Sequence, residues 1–321
     1  MRSPRFVQLH RAESGAVRDE LLAGLRAPQA RIAPKFLYDA LGSRLFDAIT
    51  ELPEYYPTRT EAAIFERSGA EIAAALPRAA TLVDLGAGDC AKAARLFGTL
   101  RPARYVAVDI STDFLRGALE SLQRRFPELE IVGVGADFSA ALTLPPEAGD
   151  PAAGPRVMFY AGSSIGNFTP DEALAFLRQV RDASSAAGGG LLIGVDLVKD
   201  AAELEAAYDD ALGVTAAFNR NLLLHVNRLA GTDFRVAQWR HVAFYDRAAA
   251  RIEMHLEACE AVAVRWREGE RRFRAGERIH TENSYKWTPE RFDGLLGAAG
   301  FARRRCWTDA QRRFAVFWGE S

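Results

Sequence analysis

With 321 residues, 41 basic against 42 acidic side chains and a formal charge of −1, the chain carries no global field that would draw it to nucleic acid or an anionic membrane. Its three cysteines, Cys90, Cys259 and Cys306, form no CxxC pair, and its five histidines form no HExxH spacing. That argues against a disulfide framework and against any metal site, and suits a reducing cytoplasm. No signal-peptide stretch is seen, nor any apolar run near the roughly 20 residues of a membrane span.

In chain order, residues 14–26 and 34–49 read as helices. In the second, Phe36, Leu37, Ala40, Leu41, Leu45, Phe46 and Ile49 form an apolar stripe behind Pro34. Two prolines then hold Leu52-Pro53-Glu54-Tyr55-Tyr56-Pro57 out of helix, and Thr58-x-x-Glu61 predicts a capping box for the next one. Tyr55 and Tyr56 could cover the core or meet a ligand.

The stretch that organises the chain comes next. Thr81–Leu85 is an apolar run suited to a strand buried on both faces. It breaks into Gly86-Ala87-Gly88, where missing β-carbons let backbone amides approach a ligand, and helical spacing resumes at Ala91–Phe97. A second apolar run, Tyr105–Val108, ends in Asp109, about 20 positions beyond the turn, where a carboxylate can accept both hydroxyls of a ribose. The unit reads as a nucleotide-binding βαβ turn.

Further strands are expected at 130–134, 156–161 and 190–196, with a Pro/Gly/Ala-rich loop from Pro145 to Pro155. The fourth strand runs into Ala161-Gly162-Ser163-Ser164-Ile165-Gly166-Asn167-Phe168-Thr169-Pro170. Ligands of open α/β sheets sit outside the carboxyl ends of strands, so this loop is where a substrate would lie. Asn167 could hold that substrate or simply turn the chain.

After Asp196 the alternation breaks. Residues 200–227 form a helix or a pair, and 239–246, 251–258, 260–267 and 270–286 read as an antiparallel meander. Thr288-Pro289-Glu290 opens a last helix, and 302–308 with 313–319 close the sheet as an antiparallel hairpin.

Asp84, two residues before the first glycine, points to a cofactor. A carboxylate there suits a cationic methionine end better than a pyrophosphate, which it would repel. The arrangement looks like the first motif of S-adenosylmethionine-dependent methyltransferases, and Gly135-Ala136-Asp137-Phe138 resembles their adenine motif. A nicotinamide dinucleotide is the alternative on these residues alone.

Several segments together carry a sharper resemblance: Leu52–Glu61, Gly162–Pro170, Asp196–Asp200, Gly213–Asn221, Arg251-Ile252-Glu253-Met254 and Thr281-Glu282-Asn283-Ser284. From about residue 30 onward the chain resembles the L-histidine Nα-methyltransferases of ergothioneine biosynthesis, which methylate the α-nitrogen three times to give trimethylhistidine (hercynine). The resemblance implies a Rossmann-like class I methyltransferase sheet with an inserted α+β substrate-binding domain. Residues 63–198 plus 287–321 would bind S-adenosyl-L-methionine; 1–62 plus 199–286 would form the substrate-binding domain or lid. Asp84, Gly86, Gly88, Lys92, Asp109, Asp137 and Phe138 would hold the cofactor. Tyr38, Tyr55, Gly162, Asn167, Tyr208, Phe218, Met254, Glu282 and Ser284 would form the substrate site. In it, Tyr55 would face the amine, Asn167 and Tyr208 would hold the carboxylate, and Glu282 and Ser284 would read the imidazole. Tyr55 and Asn167 would be its catalytic pair. The implied partner is a small molecule, L-histidine, with no nucleic acid, membrane or obligate protein partner.

Overall fold

The computed structural model describes residues 2–9, 14–139, 141–150, 154–184 and 188–321. The chain divides into two units, Met1–His10 with Pro57–Val198 and Lys286–Ser321, and Arg11–Tyr56 with Lys199–Tyr285.

In the first unit, β1 (Arg5–Gln8) precedes α3 (Pro57–Ala75), β2 (Thr81–Leu85), α4 (Ala91–Leu100), β3 (Arg104–Asp109), α5 (Thr112–Arg125) and β4 (Glu130–Gly135). Then follow β5 (Arg156–Tyr160), α6 (Pro170–Ser184), β6 (Gly190–Asp196), α9 (Pro289–Ala298), β12 (Ala302–Thr308) and β13 (Phe314–Glu320). The second unit holds α1 (Ser14–Arg26), α2 (Ala40–Thr50), α7 (Ala201–Ala206), α8 (Val214–Ala230) and β7 (Trp239–Asp246). It ends in β8 (Arg251–Ala258), β9 (Val262–Trp266), β10 (Gly269–Phe273) and β11 (Arg278–Tyr285).

The first unit is built on an eight-stranded sheet in the order β1-β4-β3-β2-β5-β6-β13-β12. Strands β2 to β6 are apolar runs that pair in parallel, and β5 and β6 are buried along their whole length, as strands covered on both faces must be. On α5, Leu115, Leu119 and Leu122 recur at helical spacing and are buried, so that face lies on the sheet. Strand order reverses at β2, with β3 on one side and β5 on the other. The carboxyl ends of these strands are therefore the switch point where such sheets hold ligands.

The second unit packs around α8, whose Phe218, Leu222, Leu223 and Val226 are buried with α1 and α2 residues such as Leu21, Leu25 and Ile49. Burying each such side chain is worth about 1.5–3 kcal/mol. Asp39 starts α2 by accepting the Gly42 amide at 2.8 Å, and takes a second hydrogen bond from the Asn221 amide of α8 at 2.7 Å.

Four expectations are corrected. Residues 34–49 are not one helix: a 3-10 turn, Pro34–Leu37, precedes α2 because Asp39 is extended and caps it. The meander is two sheets, β11-β8-β7 and β10-β9, since the chain turns at 274–277, where Gly276 has φ +80°. Residues 1–62 do not all belong with the inserted unit: β1 pairs in parallel with β4 at the edge of the large sheet, and α3 starts at Pro57 within that unit. Thr58 lies inside α3, so no capping box forms there. Within the loop 145–155, residues 151–153 lie outside those described, and Pro146–Ala148 is a 3-10 turn.

Candidate active site

The glycine turn follows β2 directly. Gly86 and Gly88 have φ of +71° and +53°, so both take the left-handed path that a β-carbon would strain. The Gly86 and Ala87 amides donate to the Val108 carbonyl at 2.9 and 3.2 Å, tying the turn to β3. Asp89 then accepts the Ala91 amide at 2.9 Å and opens α4.

Asp109, at the carboxyl end of β3, accepts the Gly88 amide on one oxygen at 2.9 Å and the Ser111 amide on the other at 2.8 Å. Burial raises its pKa against these amides. The Ile110 backbone and the Ser111 side chain also hydrogen-bond this carboxylate. Asp137 follows β4 and accepts from the Ser139 amide at 3.1 Å. The neighbouring Phe138 ring stands edge-on to Tyr160 with centroids 5.9 Å apart. Its tip lies 3.7 Å from where a β-carbon on Gly86 would be, which brings the adenine-motif aromatic to the glycine turn.

Asp84 is nearly inaccessible, 4% exposed, and accepts the Tyr105 hydroxyl at 2.7 Å. Burial pushes its pKa up to about 7, with the Tyr105 hydrogen bond acting in the opposite sense.

Sequence reasoning missed Glu61. Its buried carboxylate accepts the Gly162 amide at 2.9 Å and pairs with Lys92 Nζ at 3.3 Å. A β-carbon on Gly194 of β6 would stand 2.0 Å from Glu61 Oε1, so this carboxylate fits only beside a glycine. The Thr-x-x-Glu spacing predicts a local cap; the side chain instead braces the loop after β5, 101 positions away. That loop closes in a 3-10 turn, Ser164–Asn167, leaving Asn167 half-buried at its end. The Asp196 amide donates to Ser163 Oγ at 2.8 Å, and the Asp196 carboxylate pairs with Lys286 at 2.8 Å, both side chains buried.

In the second unit, five expected site residues share one aromatic and polar neighbourhood. Tyr38 meets Phe218 at 5.5 Å between centroids, and Tyr55 meets Tyr208 at 6.3 Å. Phe46 joins the set, contacting Tyr38, Tyr55 and Phe218 at 5.6, 6.1 and 6.0 Å. In the sequence Phe46 showed only as part of a helical stripe. Tyr208 and Ser284 share a hydrogen bond of 2.7 Å between hydroxyls. Tyr56, unlike Tyr55, is turned to Lys199, whose Nζ reaches its hydroxyl at 2.7 Å.

Glu282 and Ser284 lie on one face of β11, 7% and 4% exposed, with Glu282 opposite Met254 of β8. The register shifts between His280 and Glu282, and the intervening Thr281 donates its hydroxyl to the Met254 carbonyl at 3.0 Å. The bulge is what carries a carboxylate onto the buried face.

The residues fit S-adenosylmethionine. A left-handed glycine turn, a ribose-type carboxylate and an aromatic over the turn occupy the ends of three adjacent strands, β2, β3 and β4. Among the described residues, no group of three or more His, Cys, Asp or Glu could hold a metal ion. No helix among them is long and apolar enough to cross a membrane.

Strand order and glycine turn define a Rossmann-like, nucleotide-binding sheet. A family model described as histidine-specific, S-adenosylmethionine-dependent methyltransferase matches residues 17–321. The histidine N-alpha-methyltransferase of Mycolicibacterium smegmatis is 43% identical over 307 residues, 94% of each chain. That of Mycobacterium tuberculosis is 42% identical, again over 94% of each. Ergothioneine biosynthesis protein 1 of Neurospora crassa is 30% identical over 85% of this chain and 31% of its own length. The chain belongs to the histidine-specific, S-adenosylmethionine-dependent methyltransferase family. It is a methyltransferase acting on a small molecule.

Proposed function

We propose that this enzyme methylates the α-nitrogen of L-histidine three times, giving trimethylhistidine (hercynine), a step of ergothioneine biosynthesis. The observation that carries the reading is the buried face of β11, where Glu282 and Ser284 stand side by side and Ser284 meets the Tyr208 hydroxyl. A carboxylate and a hydroxyl can together address the two ring nitrogens of an imidazole, one a donor and one an acceptor. The match to a histidine-specific family supports the same substrate.

S-adenosylmethionine, when bound, supplies a methyl group on a positively charged sulfur. In this reading Gly86, Gly88, Lys92, Asp109, Asp137 and Phe138 hold it, with Asp84 beneath its cationic methionine end. Asn167 and Tyr208 anchor the substrate carboxylate, Gly162 shapes the loop that carries Asn167, and Tyr55 faces the amine. Burial favours the uncharged, nucleophilic amine. The rings of Tyr38, Tyr55 and Phe218 suit the quaternary ammonium product, since aromatic faces attract such cations. Met254 packs beside the imidazole. The balanced charge of the chain supports a function without nucleic acid, membrane or an obligate protein partner. The three scattered cysteines support a cytoplasmic setting.

Incubation with S-adenosylmethionine and each free amino acid, followed by mass spectrometry, should show mono-, di- and trimethylhistidine and no comparable product from the others. Methylation of another amino acid in preference to histidine would overturn the reading.

Asp84 makes a separate expectation about pH. With its pKa near 7, the carboxyl is partly protonated at neutral pH, and a cation brought beside it favours the ionised form. Cofactor binding at pH 7 should therefore release protons, read as a dependence of the calorimetric enthalpy on the ionisation enthalpy of the buffer. Asp84→Asn should abolish that dependence. Because the folded-state pKa is raised, Asp84's favourable contribution to stability is full below its ordinary pKa of about 3.9 and is lost as pH rises to about 7. The Asn variant should lack that slope.

A further inference from the structure

The segment Gly213–Asn221 stood out in the sequence, yet of its side chains only Phe218 has entered the site so far. Asn219 is wholly buried on α8. Its amide Nδ2 lies 3.0 Å from the His255 carbonyl and 2.9 Å from His241 Nδ1. A carbonyl only accepts, so Nδ2 is the atom that must face it, and the same NH₂ group necessarily donates to His241 Nδ1. On the other side of the ring, His241 Nε2 lies 2.8 Å from the Tyr208 carbonyl. That contact requires a proton on Nε2. The imidazole is thus fixed as the neutral Nε2–H tautomer, with Nδ1 accepting.

The ring of contacts closes on itself. Asp210, two residues beyond Tyr208, accepts the Val214 and Thr215 amides at 2.9 and 2.7 Å and so starts α8. Tyr208 is therefore bound to α8 through the chain on one side, and through His241 and Asn219 on the other. Its phenol then reaches Ser284. We propose that Asn219 and His241 are positioning residues, which hold the Tyr208 backbone so that its hydroxyl is presented to the substrate beside Ser284. This rests on the histidine-binding reading above.

The environment of His241 agrees with the assignment. Its side chain is 2% exposed, with Asp209 3.9 Å from Nε2. Burial holds its pKa below the ordinary range, with Arg220 acting in the same sense, although the hydrogen bond to the Tyr208 carbonyl and the charges of Asp209 and Asp210 favour the imidazolium. Protonation would also set an Nδ1–H against the Asn219 N–H.

The test combines spectroscopy with kinetics. In protein carrying ¹⁵N-labelled histidine, the resonances lost in His241→Gln belong to His241. They should show the neutral Nε2–H tautomer at pH 7 and keep it below about 6.5, where an ordinary imidazole protonates. His241→Phe should raise the KM for histidine about tenfold, the order of one lost hydrogen bond, with kcat changed much less and cofactor affinity unchanged by calorimetry. His241→Gln, whose amide can still donate to the Tyr208 carbonyl, should stay within about threefold of the parent. An Nδ1–H tautomer or a cation at pH 7, or a parental KM in His241→Phe, would overturn the proposal. So would a Gln variant as impaired as Phe, and the tautomer with the Gln variant decides the matter even where Phe fails to fold. If the parent does not methylate histidine, the functional reading falls instead, and the tautomer still reports on the positioning ring.

Discussion

Glu282→Ala should lower kcat/KM for histidine by about 100-fold, the loss of a charge-assisted hydrogen bond worth about 1.5–3 kcal/mol. The effect on selectivity should be larger. A site that hydrogen-bonds a substrate rejects analogues that leave its buried polar groups without partners by as much as about 10⁴-fold. Leucine and phenylalanine should therefore be very poor substrates of the parent. Glu282→Met combined with Ser284→Ala should relax that exclusion, since both polar groups leave the buried face of β11 together. The double change also removes the hydroxyl that meets Tyr208, so histidine turnover should fall further than in Glu282→Ala. Competition assays between histidine and phenylalanine measure the ratio directly. Parental histidine turnover in the Glu282 variant, with phenylalanine still excluded, would mean that the imidazole is read elsewhere.

Asp109→Ala should weaken S-adenosylmethionine binding by on the order of 100-fold. Two losses combine. The ribose loses charge-assisted hydrogen bonds of about 1.5–3 kcal/mol, and the Gly88 and Ser111 amides lose the acceptor that holds the turn in place. Asp109→Asn keeps an acceptor for one of those amides and should lie between parent and Ala. Titration calorimetry gives the affinity, and circular dichroism reports whether the fold survives. An affinity equal to the parent's in a folded Ala variant would remove Asp109 from the cofactor site.

Much of the large sheet was legible because its strands are short apolar runs punctuated by glycine and acidic residues. Thr81–Leu85, Arg104–Asp109 and Gly190–Asp196 fall where the pattern puts them. The edge strand Arg5–Gln8 was not, since RFVQ is too short and too polar for periodicity to register. Glu61 was misread for a physical reason. Thr-x-x-Glu carries a strong local meaning, but the partner that wins is a backbone amide far along the chain, and no local rule can see it. The spacing of Glu282 and Ser284 correctly put both on one face. The bulge at Thr281, which decides that this face is the buried one, leaves no signature in residue types. Phe46 shows the same limit: a helical stripe says that a ring is buried, not which rings it will meet.

The position of β13 bears on how the protein is made. Phe314 pairs with Asp196, and β13 is an inner strand, with β6 on one side and β12 on the other. The ribosome must deliver the whole of Lys199–Tyr285 before β6 can acquire its second neighbour. Until then the nascent chain carries a long, apolar, unsatisfied strand edge, the kind of surface that recruits other chains. Closing it requires a contact of very large sequence separation, which topology makes slow. Synthesis, more than the finished fold, is thus where this protein is most exposed to aggregation.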